Sequence, residues 1–272
     1  MKNSNNFYIS IYMKIAIGFF GITRSLKFTI SSIKKKILNI FHENNIEYDI
    51  FIHTYYLSNY TNIRTNENMN KVDNDEYKLL NANYVEIDNQ DKIKENINML
   101  LYRTHKDPWN TNYNSVDNFI LAQYSKSKLV NMINKTNVNY NYIIYMRPDC
   151  LYLEKFNIDF FKYVNDNTIC IPNFHLYGKY NFNDRFCITN MKTYKIYGDI
   201  FKYLLNISKK ESLHSETILG KIMNDNKLNI IKIKFNFSRI RSNGNSIDKF
   251  SSIRKIPPKN KRLLLLYKIN KK

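Results

Sequence analysis

MKIAIGFFGITRSLKFTISSIKKKI, residues 13–37, is the stretch that decides the fold, because its hydrophobic period changes partway along. Residues 13–20 are apolar apart from Lys14. Such a run reads as a strand buried on both faces, as parallel sheets require. Gly18 and Gly21 then punctuate a turn. From Ser25 onward, Leu26, Ile30, Ile33, Ile37 and Ile40 fall at spacings of 4, 3, 4 and 3. That spacing lays one apolar stripe along a helix. Ser25 or Thr23 is placed to cap its start. A buried strand turning through glycines into a helix is the opening of a βα unit.

The same alternation continues outward from this unit. YDIFIHTY (48–55) and YVEID (84–88) read as strands two and three. The polar stretch 58–78 between them reads as loop with a short helix. Residues 89–114, which hold the single Trp109, read as partly helical and then irregular. A long helix is expected over 115–135, feeding a strand at Tyr140–Met146. Strands alternating with helices imply a mostly parallel sheet with crossover connections. After Asp149 the pattern becomes mixed. Strands are expected near 168–171 and 185–189, helices over 190–205 and 214–224, and a strand through 230–237. The fold class is therefore α/β: a Rossmann-like, mostly parallel sheet flanked by helices, with a mixed α+β C-terminal half. One domain over 1–249 and a basic tail over 250–272 is the economical division.

The chain has 272 residues, a formal net charge of +19, 22 Tyr and 17 Phe. That length is ample for a buried core, and the aromatic content excludes a disordered chain. The charge has two readings. One is an anionic partner: nucleic acid, phosphate or a membrane surface. The other is a coding bias toward Lys, Asn, Ile and Tyr spread over solvated faces. Cys150, Cys170 and Cys187 are odd in number and lack CxxC spacing, which argues against zinc and against a disulfide framework. A reducing, cytoplasmic setting is expected, since neither a secretory leader nor a membrane span stands out. The tail is read either as a frayed terminus or as a contact with anionic membranes.

Three stretches carry candidate chemistry at the carboxyl edge of such a sheet, where ligands bind. In GFFGITRSLK (18–27), a helix start and Arg24 favour an anion; the alternative is a plain strand–turn–helix with Arg24 in solvent. In IIYMRPDCLYLE (143–154), a strand runs into Arg147, Pro148 and Asp149. Asp149 suits a divalent cation shared with phosphates, or a plain strand-end salt bridge. A carboxylate at a rim is expected to matter little for stability. In FNFSRIRSNG (235–244), strand alternation sets Arg239 and Arg241 on one side, to hold a diphosphate or to guard a sheet edge. Asp184 in NFNDRFCITN and Glu216 in LHSETILGKI are two further carboxylates. Glu216 sits near a helix start that Ser212 or His214 could cap. It is either a general base or a helix-favouring acid.

In their order along about 13–244, GFFGITRSLKFTISSIKKKI, YDIFIHTY, YSKSKLV, YIIYMRPDCLY, NDRFCITN, HSETILG and FSRIRSNG resemble GT-A-like glycosyltransferases. Proteins of this type occur in large DNA viruses, algae and bacteria that make surface polysaccharides. The resemblance implies transfer of a sugar from a nucleoside-diphosphate sugar to a hydroxyl of a glycan or other acceptor. It implies nucleotide contacts from Gly18, Gly21 and Arg24. Asp149 would hold the metal, Mn2+ or Mg2+, or the donor sugar, with RPD in the place of a DxD motif. Arg147 departs from that motif, and a guanidinium there could partly replace the cation's charge. Asp184 and Arg185 would line the sugar and acceptor pocket, Glu216 would act as base, and Arg239 and Arg241 would neutralise the leaving diphosphate.

The rival reading is a nucleic-acid-binding protein with a basic, aromatic-rich surface. No helix-turn-helix, zinc-finger or RNP-type signature accompanies it. A nuclease-like arrangement of Asp149 with Glu154 fails on spacing, because Lys155 follows Glu154 directly.

Overall fold

The computed structural model describes residues 13–246 and residue 248; the basic tail lies outside them. The chain runs β1 (Lys14–Phe20), α1 (Leu26–Ile33), a π-helical turn (Lys34–Leu38), α2 (Asn39–Glu43) and β2 (Glu47–Tyr56). Next come β3 (Tyr60–Asn62), β4 (Glu67–Met69), β5 (Tyr84–Asn89), α3 (Gln90–Ile97), α4 (Asn114–Lys135), β6 (Tyr142–Met146) and β7 (Cys150–Tyr152). It ends with β8 (Thr168–Pro172), β9 (Phe186–Thr189), α5 (Tyr194–Gly198), α6 (Phe201–Ser208), α7 (Ser215–Asp225), β10 (Asn229–Ile233) and β11 (Phe237–Arg239).

Seven strands form the central sheet in the order β5-β2-β1-β6-β9-β8-β10. All are parallel except β9, which runs against both β6 and β8. The sheet is α/β and mostly parallel, as the period changes require. Its two faces are read directly from β1. Ile15, Ile17 and Phe19 face α1, while Ala16 and Phe20 face the layer of α4. Both sets are buried, which is why the strand reads as one apolar run rather than an alternation. Gly18 lies mid-strand opposite Phe51 and Tyr145. A Cβ there would come within 2.9 Å of Leu129 Cδ1, so the glycine serves the close approach of α4.

Several elements differ from expectation. The stretch 58–78 holds a β3–β4 hairpin. The helix expected over 190–205 is broken into α5 and α6. Gly198 ends α5, where a Cβ would meet the Tyr145 hydroxyl at 2.3 Å. The strand expected through 230–237 is also two. β10 ends at Ile233, and β11 pairs antiparallel with β7 in a separate two-stranded sheet. Glu154 anchors the break, accepting from Asn236 N at 3.0 Å and Nδ2 at 3.2 Å. The carboxylate weighed for a nuclease thus holds a chain crossing. The three cysteines are buried and unpaired. Among the described residues no helix is long and apolar enough to cross a membrane.

Candidate functional site

The sheet order reverses between β1 and β6. β1 is followed outward by β2 and β5 on one side, and β6 begins the other. A crevice opens outside the carboxyl ends of the strands at such a switch point. Here it has a volume of about 750 Å3, within the range of ligand sites. Arg24, Arg147, Asp149, Asp184, Glu216, Arg239, Arg241 and Gly21 all line it. Gly18 does not; it is a packing residue three positions before Gly21, beneath Leu129.

The cleft begins at Gly21, whose φ of +94° is the left-handed region that favours glycine. Its N–H donates to Ser125 Oγ at 2.9 Å and to the His53 carbonyl at 3.2 Å. The start of α1 offers a ligand less than expected. Leu26 N donates to the Thr23 carbonyl at 2.9 Å, and Phe28 N to the Ser25 carbonyl at 3.1 Å. Neither Ser25 nor Thr23 caps through its side chain. Lys27 N donates to Glu76 Oε2 at 3.0 Å. The anion favoured at a helix start is therefore the chain's own Glu76, buried at this point.

Arg24 is also not in solvent. Its Nε and Nη2 donate to Glu67 Oε1 and Oε2 at 3.2 and 3.4 Å, and its guanidinium lies 4.5 Å from the centre of the Tyr60 ring. Glu67, in β4, is the hub that sequence reasoning missed. It also accepts from Thr65 Oγ1 at 2.7 Å and Ser242 N at 2.9 Å, and it pairs with Arg241 Nη1 at 3.4 Å. Burial opposes its charge, but Arg24 and these hydrogen bonds bring its carboxyl down to about 2.

Asp149 is held from the other side of the cleft. The β6–β9 pairing runs on to Arg147 N, which donates to the Arg185 carbonyl at 3.2 Å. Pro148 has no N–H to continue it, and its carbonyl is caught by Thr29 Oγ1 at 2.6 Å. Arg147 then folds over Asp149, with Nε donating to Oδ1 at 2.9 Å and Nη2 to Oδ2 at 2.5 Å. Asp149 is only 2% exposed, so it is no rim residue. Burial would raise its carboxyl, yet Arg147, Arg24 and Arg241 hold it far below the usual carboxylate range.

β11 ends at Arg239, and Arg241 lies two residues beyond it, so the strand alternation expected over both does not extend to Arg241. Arg239 stands opposite Cys150, and Ile240 N donates to the Asp149 carbonyl at 2.8 Å. The two guanidinium groups have different partners. Arg239 is tied to Asp248 through its backbone N at 2.7 Å, Nε at 3.1 Å and Nη2 at 2.6 Å. Among the described residues Arg241, which is buried, pairs only with Glu67, at 3.4 Å, and its Nε has no hydrogen-bond partner. Burial first, with repulsion from Arg24 and Arg147, brings it down to about 10.

At the far end Arg185 bridges two carboxylates, Asp184 Oδ1 at 3.1 Å and Glu216 Oε1 at 3.3 Å. Ser215 Oγ donates to Glu216 Oε2 at 2.5 Å. His214 caps α7 by accepting from Thr217 N at 3.4 Å, one of the two caps expected. Its ring stacks on Trp109, with centroids 5.0 Å apart, and both line the cleft. Behind this wall lies Lys126, fully buried, with no hydrogen-bond partner among the described residues and its Nζ 4.1 Å from the Tyr197 ring centre. Burial pushes its amine down to about 7 against the pull of Asp184.

Sequence reasoning missed Glu67, Tyr60, Trp109 and Lys126. Glu67 shares its polar stretch with Asp73, Asp75 and Glu76, and nothing local sets it apart. An unusual signal existed only for Trp109, as the sole tryptophan. Neither protein-family models nor curated proteins match this chain.

Proposed function

We propose that this chain is a GT-A-like glycosyltransferase, moving a sugar from a nucleoside-diphosphate sugar to a hydroxyl of a glycan or similar acceptor. One observation carries the reading. Every expected site residue except Gly18 lines a single cleft at the switch point of the sheet, although they come from widely separated parts of the chain. Arginines at one end suit a diphosphate. The carboxylate of Glu216, at the other, suits an acceptor hydroxyl.

In the transfer, the acceptor oxygen bonds to the anomeric carbon as the bond from that carbon to the diphosphate breaks. The bonding pair stays with the departing phosphate oxygen, and the hydroxyl proton passes to a Glu216 oxygen. Arg185 and Ser215 hold that carboxylate in place. Guanidinium groups fixed around the departing diphosphate are electrostatic catalysis, each good donor contributing about 3 kcal/mol on the scale of oxyanion-hole deletions. Asp149 orients Arg147 and receives donor-sugar hydroxyls. A cytoplasmic setting belongs to the same proposal.

A thermal-shift panel of nucleotide sugars, followed by assay of released nucleoside diphosphate, tests it. Stabilisation and turnover with one nucleotide family are expected. Stabilisation by duplex or single-stranded oligonucleotides, with none from any nucleotide sugar, would replace the enzyme by the nucleic-acid reading of the +19 charge.

A further inference from the structure

We propose that the diphosphate in this cleft is held by guanidinium groups without a divalent cation, with Arg147 and Arg241 supplying the charge a metal would bring. The inference rests on the glycosyltransferase reading and concerns the ligand chemistry of the same site.

The donor set around Asp149 does not suit Mn2+ or Mg2+. Among the described residues, no three Asp, Glu, His or Cys side chains converge as a cation site. Magnesium takes six oxygens at about 2.1 Å. Both Asp149 oxygens already accept from Arg147. Arg24 and Arg241 act on the same carboxylate, so an incoming cation would enter against three guanidinium groups. The nearest other hub, Glu67, is engaged by Arg24, Arg241, Thr65 and Ser242 N. A cation would have to break these pairs before gaining oxygen ligands.

Arg147 keeps donor capacity for an anion, and Arg241 adds a second guanidinium beside Asp149. Arg147 spends Nε and Nη2 on Asp149 and lines the cleft with its side chain 28% exposed, leaving Nη1 for a ligand. Arg241 is buried and lines the cleft, and its Nε, itself buried, has no hydrogen-bond partner among the described residues. A buried donor left unpaired costs stability, and phosphate oxygens are the bidentate partners that guanidinium geometry fits. Arg239 is less suited, since Asp248 takes its Nε and Nη2.

The test is calorimetric titration of the full chain with UDP, GDP, ADP, dTDP and inorganic pyrophosphate, each in EDTA and in Mn2+. The diphosphate that binds is expected to do so in EDTA, with a Kd within about twofold of the Mn2+ value. Arg147→Ala should weaken it by about tenfold or more in EDTA. Arg147→Lys, which keeps a charge beside Asp149 and serves where the alanine variant does not fold, should also weaken it, by losing the forked donor. Binding that vanishes in EDTA and returns with Mn2+ overturns this inference and leaves the glycosyltransferase reading standing. Unchanged affinity in a folded Arg147 variant also overturns it. Binding of no diphosphate under either condition removes the glycosyltransferase reading, and this inference with it.

Discussion

Two constellations of charged and polar side chains flank β1, and only one faces the cleft. On the β2 side, His53 Nδ1 lies 2.8 Å from Ser125 Oγ, and His53 Nε2 lies 3.1 Å from Asp88 Oδ2. By distance alone this is a serine–histidine–aspartate arrangement. Yet Ser125 and His53 are fully buried and neither lines the cleft. Ser125 Oγ is occupied by Gly21 N. Burial holds the His53 imidazole below its ordinary value despite Asp88. The set fastens the turn after β1. On the β6 side, Arg147–Asp149 and Arg24–Glu67–Arg241 have comparable distances, but their arginines and Asp149 line the cleft, where the Arg147 side chain is 28% exposed. Access and leftover hydrogen-bonding capacity, rather than residue types at bonding distance, separate a site from a brace.

The largest effect should come from Asp149→Asn. A strand-end carboxylate at a rim was expected to be dispensable for stability. The structure revises this, because a buried carboxylate here faces three guanidinium groups. The variant should lose turnover and about 3–5 kcal/mol of stability, as broken buried pairs do. An unfolding midpoint within a few degrees of the parent would show that the arginines do not depend on it.

Next is Glu67, brought from an ordinary 4.5 down to about 2. A depressed carboxyl adds stability above its unfolded value and loses it as pH falls through the folded one. The parent should therefore exceed Glu67→Gln by about 3 kcal/mol near pH 6, with the gap closing as pH falls from about 4.5 to about 2. Denaturant unfolding across that range reads it. A gap that does not change with pH would mean that Glu67 does not hold the arginines through its charge.

Ser125→Ala tests the brace. It should cost about 1–2 kcal/mol, the scale of a lost buried hydrogen bond at the His53 ring, since Gly21 N keeps the His53 carbonyl. A fluorophosphonate probe should leave Ser125 of the parent unlabelled. Labelling there would turn the brace into a second reactive site and undo the comparison.

The smallest effect belongs to Gly18→Ala. Its Cβ meets the far end of the Leu129 side chain, so a cost of about 1 kcal/mol is expected, with diphosphate binding unchanged by titration. Clearly weaker binding would return Gly18 to the cleft.

Much of the scaffold was legible because its signals are local. The change of period at Gly21, the 115–135 helix and the strand ending at Arg147-Pro148-Asp149 all follow from neighbouring residues. The β3–β4 hairpin was not, since strands of three mixed residues carry no period. The broken helix over 190–205 was hidden for another reason. The glycine at its α5 end is required because Tyr145 and Val130 fill the space beside it, and no neighbouring residue announces that contact. Arg239 and Arg241 look alike in the chain and differ only in their carboxylate partners.

The sequence alone determined an α/β sheet, the alternation of strands and helices near the N-terminus and which charged side chains sit at strand ends, because each follows from periodicity within about one element. Only the tertiary structure decided who neutralises whom. Glu67 meets Arg24 across 43 positions and Ser242 across 175. Glu76 occupies the helix start that seemed free for a ligand. Such pairings are set by where the sheet order reverses and the chain crosses back, and no local pattern encodes a partner that distant.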